Sequence, residues 1–213
     1  MARQERAVKT KQAIIEAAGA VFAERGYGAA TISDVYTRAG VTKGAFYFHY
    51  ASKEELAEEV LSGQVERTLG FLRESMRERP VKLQELIDSA MLMAHRLAFD
   101  ELLQGSIRLS IDQGSDLDRR PPYQAWVDFQ VEVLREAQAR GEVLAHVDVE
   151  EFAHVLVGAF SGVQLMSEVM TGRGDVEARV AALYSYLIPS VAVPSILTRL
   201  DLSPDLGTRL TGD

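Results

Sequence analysis

The sequence predicts an all-α protein: a small N-terminal three-helix module joined to a larger C-terminal helical domain. Three observations carry this. Apolar residues recur every three or four positions along almost the whole chain, three helix-capping signals fall close together between Thr31 and Glu55, and no alternating strand pattern bounded by hairpin turns appears. There is no internal repeat and no low-complexity tract. With 213 residues, 47% of them hydrophobic, the chain can bury a core of ordinary size.

The first helix is expected over 9–25, where Ile14, Ala17, Ala18, Val21 and Phe22 form one stripe and Gly26 stands where a helix ends. Thr31 with Asp34 resembles a capping box and opens a short second helix that Gly40 ends. Thr42 caps a third, running to about Tyr50, and Ser52 with Glu55 opens a long fourth over 52–78. Further helices are expected over 81–103, 105–112, 120–140, 147–171, 175–190 and 194–200. Pro121 and Pro122 suit a first helical turn. The tail from 201 reads as polar and frayed. The expected domains are therefore 1–52, 53–200 and a C-terminal tail over 201–213.

Charge is divided unevenly. The whole chain carries a formal −8, yet its first fifty residues hold seven Lys/Arg against four acids, a local +3 that leaves −11 for the rest. A basic end on an acidic body suits a polyanion-binding module, because binding depends on the local field. With no cysteine, disulfides and thiolate metal sites are excluded. No apolar run approaches the roughly 18 residues of a membrane span, and no cleavable signal pattern appears, so a cytoplasmic location without a membrane partner is expected.

Two short helices joined at Gly40 match a helix-turn-helix. Ile32, Val35, Ala39, Val41, Ala45 and Phe46 can face the first helix, which leaves Lys43, Gly44 and Tyr47 on the outer face. In that motif the second helix enters the major groove by its N-terminal residues. Lys43 can then reach base edges or phosphate, while Gly44 allows close backbone approach. Thr42, Tyr47 and His49 can donate to phosphates, Lys53 is a further phosphate candidate, and Arg3 and Lys9 can add charge contacts from the N-terminal arm. Phe46, Phe48 and Tyr50 are read as core rings.

The second half shows no catalytic constellation. His49, His95, His146 and His154 lack metal-ligand spacing, no nucleotide-binding glycine loop or nucleophile motif is present, and neither a catalytic residue, a metal nor a cofactor is expected. Trp126 lies on an apolar stripe that Gln130 interrupts, so that amide has either a protein partner or a ligand. Ser161 and Gln164 raise the same question on a helix that is apolar nearly all round, and Gln64 raises it more weakly. A helix apolar on every side must be covered on every side. The helices near 147–171 and 175–190 are thus expected to form a homodimer interface, with Gly158 and Gly162 permitting close approach. A dimer would set two recognition helices one DNA turn apart on a palindromic operator.

The stretch "GVTKGAFYFHYASKEELA" resembles the recognition helix and following cap of the TetR family of repressors. "MARQERA", "LQELID" at 83–88, "LDRRPPYQAW" at 117–126, "LIPSVAVPSIL" at 187–197 and "RLDLSPDLGTRL" at 199–210 resemble one branch of it, the γ-butyrolactone (autoregulator) receptors. Phe46 and Tyr50 stand where Leu and Phe are commoner. The resemblance implies a homodimeric repressor, released from double-stranded operator DNA by a small hydrophobic autoregulator that sits beside a tryptophan in the Trp126 helix and controls secondary metabolism. A relative answering to antibiotics or other lipophiles is the alternative, and a helical enzyme without a recognised motif is a more distant one.

Overall fold

The computed structural model describes the backbone of residues 2–75, 78–112 and 116–212, and the side chains of these residues except 2, 3, 64, 74 and 75. All its regular elements are helical, in keeping with the expected fold class. They pack as two compact units, one of 1–68 with 100–122 and the other of 69–99 with 123–213. This division differs from the expected boundary at 52.

In the first unit, α1 (Ala2–Ala29) is kinked at Gly26, whose φ of 70° needs a residue without Cβ. The turn beyond the kink is capped from a distance, because Tyr27 N–H donates to Asp112 Oδ2 at 2.8 Å. Helices α2 (Ile32–Arg38), α3 (Lys43–His49) and the start of α4 (Lys53–Ser75) then enclose a core with Ile14, Phe22, Val35, Phe46, Tyr50 and Leu56.

The helices expected over 81–103 and 105–112 are α5 (Lys82–Leu97) and α6 (Glu101–Ile111), with the break between them at 98–100 and not at 104. Asp100 divides them, since its carboxylate accepts from Leu103 N–H at 3.0 Å and so caps α6. The apolar pattern runs across this cap and hid it. Helix α6 belongs to the first unit and crosses α1 at a glycine pair. A Cβ on Gly105 would stand 2.1 Å from the Gly19 carbonyl oxygen.

In the second unit α5 is the central helix, buried almost all round. Its N-terminus has no side-chain cap of its own; the buried Glu142 carboxylate accepts instead from the backbone N–H of Lys82 (2.9 Å) and Leu83 (2.7 Å). Around it pack α7 (Arg120–Ala139), α8 (Val149–Thr171) and α9 (Val176–Leu187), followed by a 3-10 turn over Ile188–Ser190 and the short α10 (Pro194–Leu197). The tail differs from expectation. It forms α11 (Leu206–Thr211), whose Leu206 is buried and whose Gly207 lies so close to α5 that a Cβ would sit 2.5 Å from the Met91 carbonyl.

Candidate nucleic-acid interface and ligand pocket

The helix-turn-helix is built by its caps. Thr31 and Asp34 form the reciprocal box, with Thr31 N–H donating to Asp34 Oδ2 at 3.0 Å and Asp34 N–H to Thr31 Oγ1 at 3.1 Å. Gly40 makes the turn at a φ of 65°, and Thr42 Oγ1 accepts from Ala45 N–H at 3.1 Å to open α3. Phe46, Val35 and Tyr50 are buried, which fixes the rotation of α3 and turns Lys43, Gly44 and Tyr47 outward. Lys43 Nζ lies 5.9 Å from the centroid of the Tyr47 ring, so cation and ring form one outer patch. A Cβ on Gly44 would meet only Thr42 Oγ1, at 4.0 Å; the fold itself leaves room for a side chain there. Its absence keeps the backbone open from outside.

Two expectations are corrected. Phe48 is not a core ring: it is 76% exposed and stands edge-on to the half-buried His49 at 5.0 Å. Lys53 is already occupied, because Nζ donates to the carbonyls of Tyr27 (2.7 Å) and Ala30 (3.0 Å) and lies 4.2 Å from the Tyr27 ring centroid. Those bonds hold the α1–α2 turn and leave Lys53 little to offer a phosphate.

Ion pairing also trims the basic surplus. Lys11 pairs with Glu59, Arg25 with Asp34, and Arg38 with Glu24 and Glu101. Lys9 and Lys43 are exposed, without an ion-pair partner among the described residues. The side chain of Arg3 lies outside the described residues.

In the second unit, Trp126 is half-buried and stands edge-on to Phe129, 5.9 Å between centroids at 84°. One turn further on, Gln130 is 4% exposed and its Oε1 has no hydrogen-bond partner. Its amide acts on the Tyr184 phenol of α9, which is fully enclosed and makes no hydrogen bond of good geometry. Burial pushes the Tyr184 phenol well above its usual range, with only Gln130 opposing, so the hydroxyl stays protonated. Gln164 on α8 is likewise buried with Oε1 unpartnered. Ser161 is different, for its hydroxyl donates to the Val157 carbonyl at 2.8 Å and is satisfied within its own helix. The side chain of Gln64 lies outside the described residues.

Unpaired polar atoms in a closed apolar core cost roughly 1–3 kcal/mol each. They are the groups a ligand with a hydroxyl and a carbonyl would satisfy. Nothing in the sequence sets Tyr184 apart, since one ring in "ALYSYL" reads as ordinary core; only its packing reveals the unspent hydroxyl. No cluster of metal-ligating side chains occurs among the described residues.

The outer faces of α8 and α9 are apolar and open. Val169 is 74% and Tyr186 82% exposed, Met166 and Met170 are exposed beside them, and a Cβ on Gly158 or Gly162 would touch nothing. Helix α8 is long and apolar enough to cross a membrane by length and composition, yet Leu156 and Ser167 on its other face are buried in the unit.

Residues 14–60, spanning the capped helices, match the model for bacterial regulatory proteins of the tetR family. Over 94% of this chain and 70% of its own length, the A-factor receptor protein of Streptomyces griseus is 38% identical. The solved structure of TylP, a TetR regulator from Streptomyces fradiae, is 44% identical with a TM-score of 0.81, covering 99% of this chain and 91% of that one. A gamma-butyrolactone receptor structure (ArpA-like protein) is 27% identical with a TM-score of 0.75, covering 97% and 98%. The helix-turn-helix, the helical C-terminal domain and these relatives define a ligand-responsive, DNA-binding transcriptional regulator. The chain belongs to the TetR family of bacterial regulatory proteins.

Proposed function

We propose that this regulator represses transcription as a homodimer on a palindromic operator and is released by a compact lipophilic autoregulator of the γ-butyrolactone type. The observation that carries the ligand half of this reading is the pair of unspent polar groups, Gln130 Oε1 and the Tyr184 hydroxyl, within the apolar core beside Trp126. A lactone with one hydroxyl suits them: its O–H donates to the glutamine, its carbonyl accepts from the phenol, and its alkyl part lies against Trp126 and Phe129. Gln164 is a further acceptor for the same ligand.

On the DNA side, Lys43 and Tyr47 meet base edges or phosphates, Gly44 admits the backbone, and Thr42, His49 and Lys9 contact phosphates. The α8 and α9 faces that hold Val169 and Tyr186 cover one another in the dimer. Release requires the effector to bind the DNA-incompetent arrangement better than the competent one. Helix α4 is continuous from Lys53, beside the DNA-binding helices, to Ser75 in the second unit, and is the element through which the two arrangements differ.

The test is operator release by a γ-butyrolactone panel, measured by fluorescence anisotropy on parent and Trp126→Ala proteins. The parent should release and the variant should hold the operator at every concentration. Release of both at one concentration would refute the pocket, and indifference of the parent to the whole panel would refute the ligand class.

A further inference from the structure

Apart from both sites, the second unit contains a cleft of about 520 Å³ where the C-terminal segment passes over the start of α5. Its floor is a closed hydrogen-bond network. The Gln84 amide donates to Asp88 Oδ1 at 2.9 Å and to the Asp201 carbonyl at 3.0 Å, and its Oε1 accepts from Asp201 N–H at 2.7 Å. The other oxygen of the buried Asp88 accepts from Arg79 Nε at 2.6 Å. Gln84 and Asp88 are thus fully spent, and the cleft keeps its shape without a ligand.

Two of the guanidinium groups that line it, those of Arg79 and Arg199, are not spent. Arg79 uses only Nε on Asp88, so both of its Nη groups retain their protons. Arg199 is exposed and has no ion-pair partner among the described residues. Arg209 is held by Asp201 at 2.8 Å, by Asp205 at 3.3 Å and by the Ser203 hydroxyl, which fixes its position at the rim. Pro80, Leu206 and Leu210 supply an apolar wall. Planar forks with free donors, set beside an apolar surface, match a carboxylate or phosphate on a short hydrocarbon body.

We infer that this cleft is a second small-molecule site, distinct from the Trp126 pocket, and that it takes an amphiphilic organic anion. The head lies between Arg79 and Arg199, and the body lies along Leu206 and Leu210. A bound anion bridges the α4–α5 junction to the segment that ends in α11, so occupancy stabilises the docked tail. A neutral lactone offers these arginines no charge, which separates the two sites by ligand chemistry.

The probes are hexanoate, hexyl phosphate and, as neutral control, 1-hexanol, titrated calorimetrically into the full chain at low salt. One or both anions should bind and hexanol should not; the tighter anion identifies the head group. Arg199→Gln changes an exposed side chain, leaves the floor network intact and should weaken anion binding about tenfold, the worth of one charge-assisted contact. Trp126→Ala should leave anion binding unchanged, so the outcome does not depend on the autoregulator reading. Failure of both anions to bind, equal affinity in Arg199→Gln, or loss of binding in Trp126→Ala would each overturn the inference.

Discussion

Replacing Tyr184 by phenylalanine removes one oxygen from the core of the second unit and should change stability and response in opposite directions. The hydroxyl is enclosed and lacks a well-formed hydrogen bond, a condition that costs roughly 1–3 kcal/mol. The influence of the nearby Gln130 amide offsets part of this. Tyr184→Phe keeps the ring and its packing, so a net gain of about 1 kcal/mol is expected, or about 2–4 °C in Tm for a chain of this size. Thermal unfolding at one fixed protein concentration measures it, since the proposed dimerisation would make Tm concentration-dependent. In the proposed binding mode the effector loses one hydrogen bond, worth about 0.5–1.5 kcal/mol, so the concentration for half-release should rise about two- to twelvefold. Because the phenol of the parent stays protonated, its contribution to release should be flat between about pH 6 and pH 9. A variant less stable than the parent would mean that the hydroxyl has a partner in the apoprotein. An unchanged half-release concentration would mean that the effector does not touch it.

Lys43→Ala or Tyr47→Ala should weaken operator binding with helical content and dimer intact, and Lys43→Ala, lost from both protomers, should reduce the salt slope by about two; equal affinity at matched salt would remove that residue from the interface. Gly105→Ala places a Cβ 2.1 Å from the Gly19 carbonyl oxygen and should cost at least about 3 kcal/mol of stability, read from chemical unfolding, because backbone and not a flexible side chain must yield. The Asp175 carboxyl is held down to about 2 by the Ser167 hydroxyl first, with Thr171 and Arg179 adding to it. Its stabilising effect at the α8–α9 turn is therefore full above its ordinary value of 3.8 and is lost as pH falls towards 2. The stability difference between parent and Asp175→Asn should accordingly be present at pH 6 and vanish near pH 2; a difference independent of pH would show that the charge is irrelevant.

What the sequence disclosed was local. The Thr31–Asp34 box, the Thr42 cap and the Gly40 turn each depend on residues within three or four positions, and each is legible for that reason. The Ser52–Glu55 pair shows the limit of such reading. Glu55 N–H does donate to Ser52 Oγ at 3.2 Å, but the glutamate accepts from Ala51 N–H rather than completing the box. The departures have non-local causes: α11 reads as a polar tail because its burial rests on Leu206 and Gly207 against a helix more than a hundred positions earlier.

Lys53 carries that lesson into mechanism. From sequence, a lysine that follows a recognition helix is a phosphate ligand, because the carbonyls it binds stand 26 and 23 positions earlier, at Tyr27 and Ala30. With those partners it becomes a rivet between the first turn of α4 and the turn that joins α1 to α2. Asp112 fastens the same turn through Tyr27 N–H. A turn held at both its amide and its carbonyls cannot follow α2 and α3 independently of α4. In the proposed switch this rigidity is the requirement: displacement of α4 must move the helix-turn-helix as one body, since a loose joint would absorb the motion before it reached Lys43 and Tyr47.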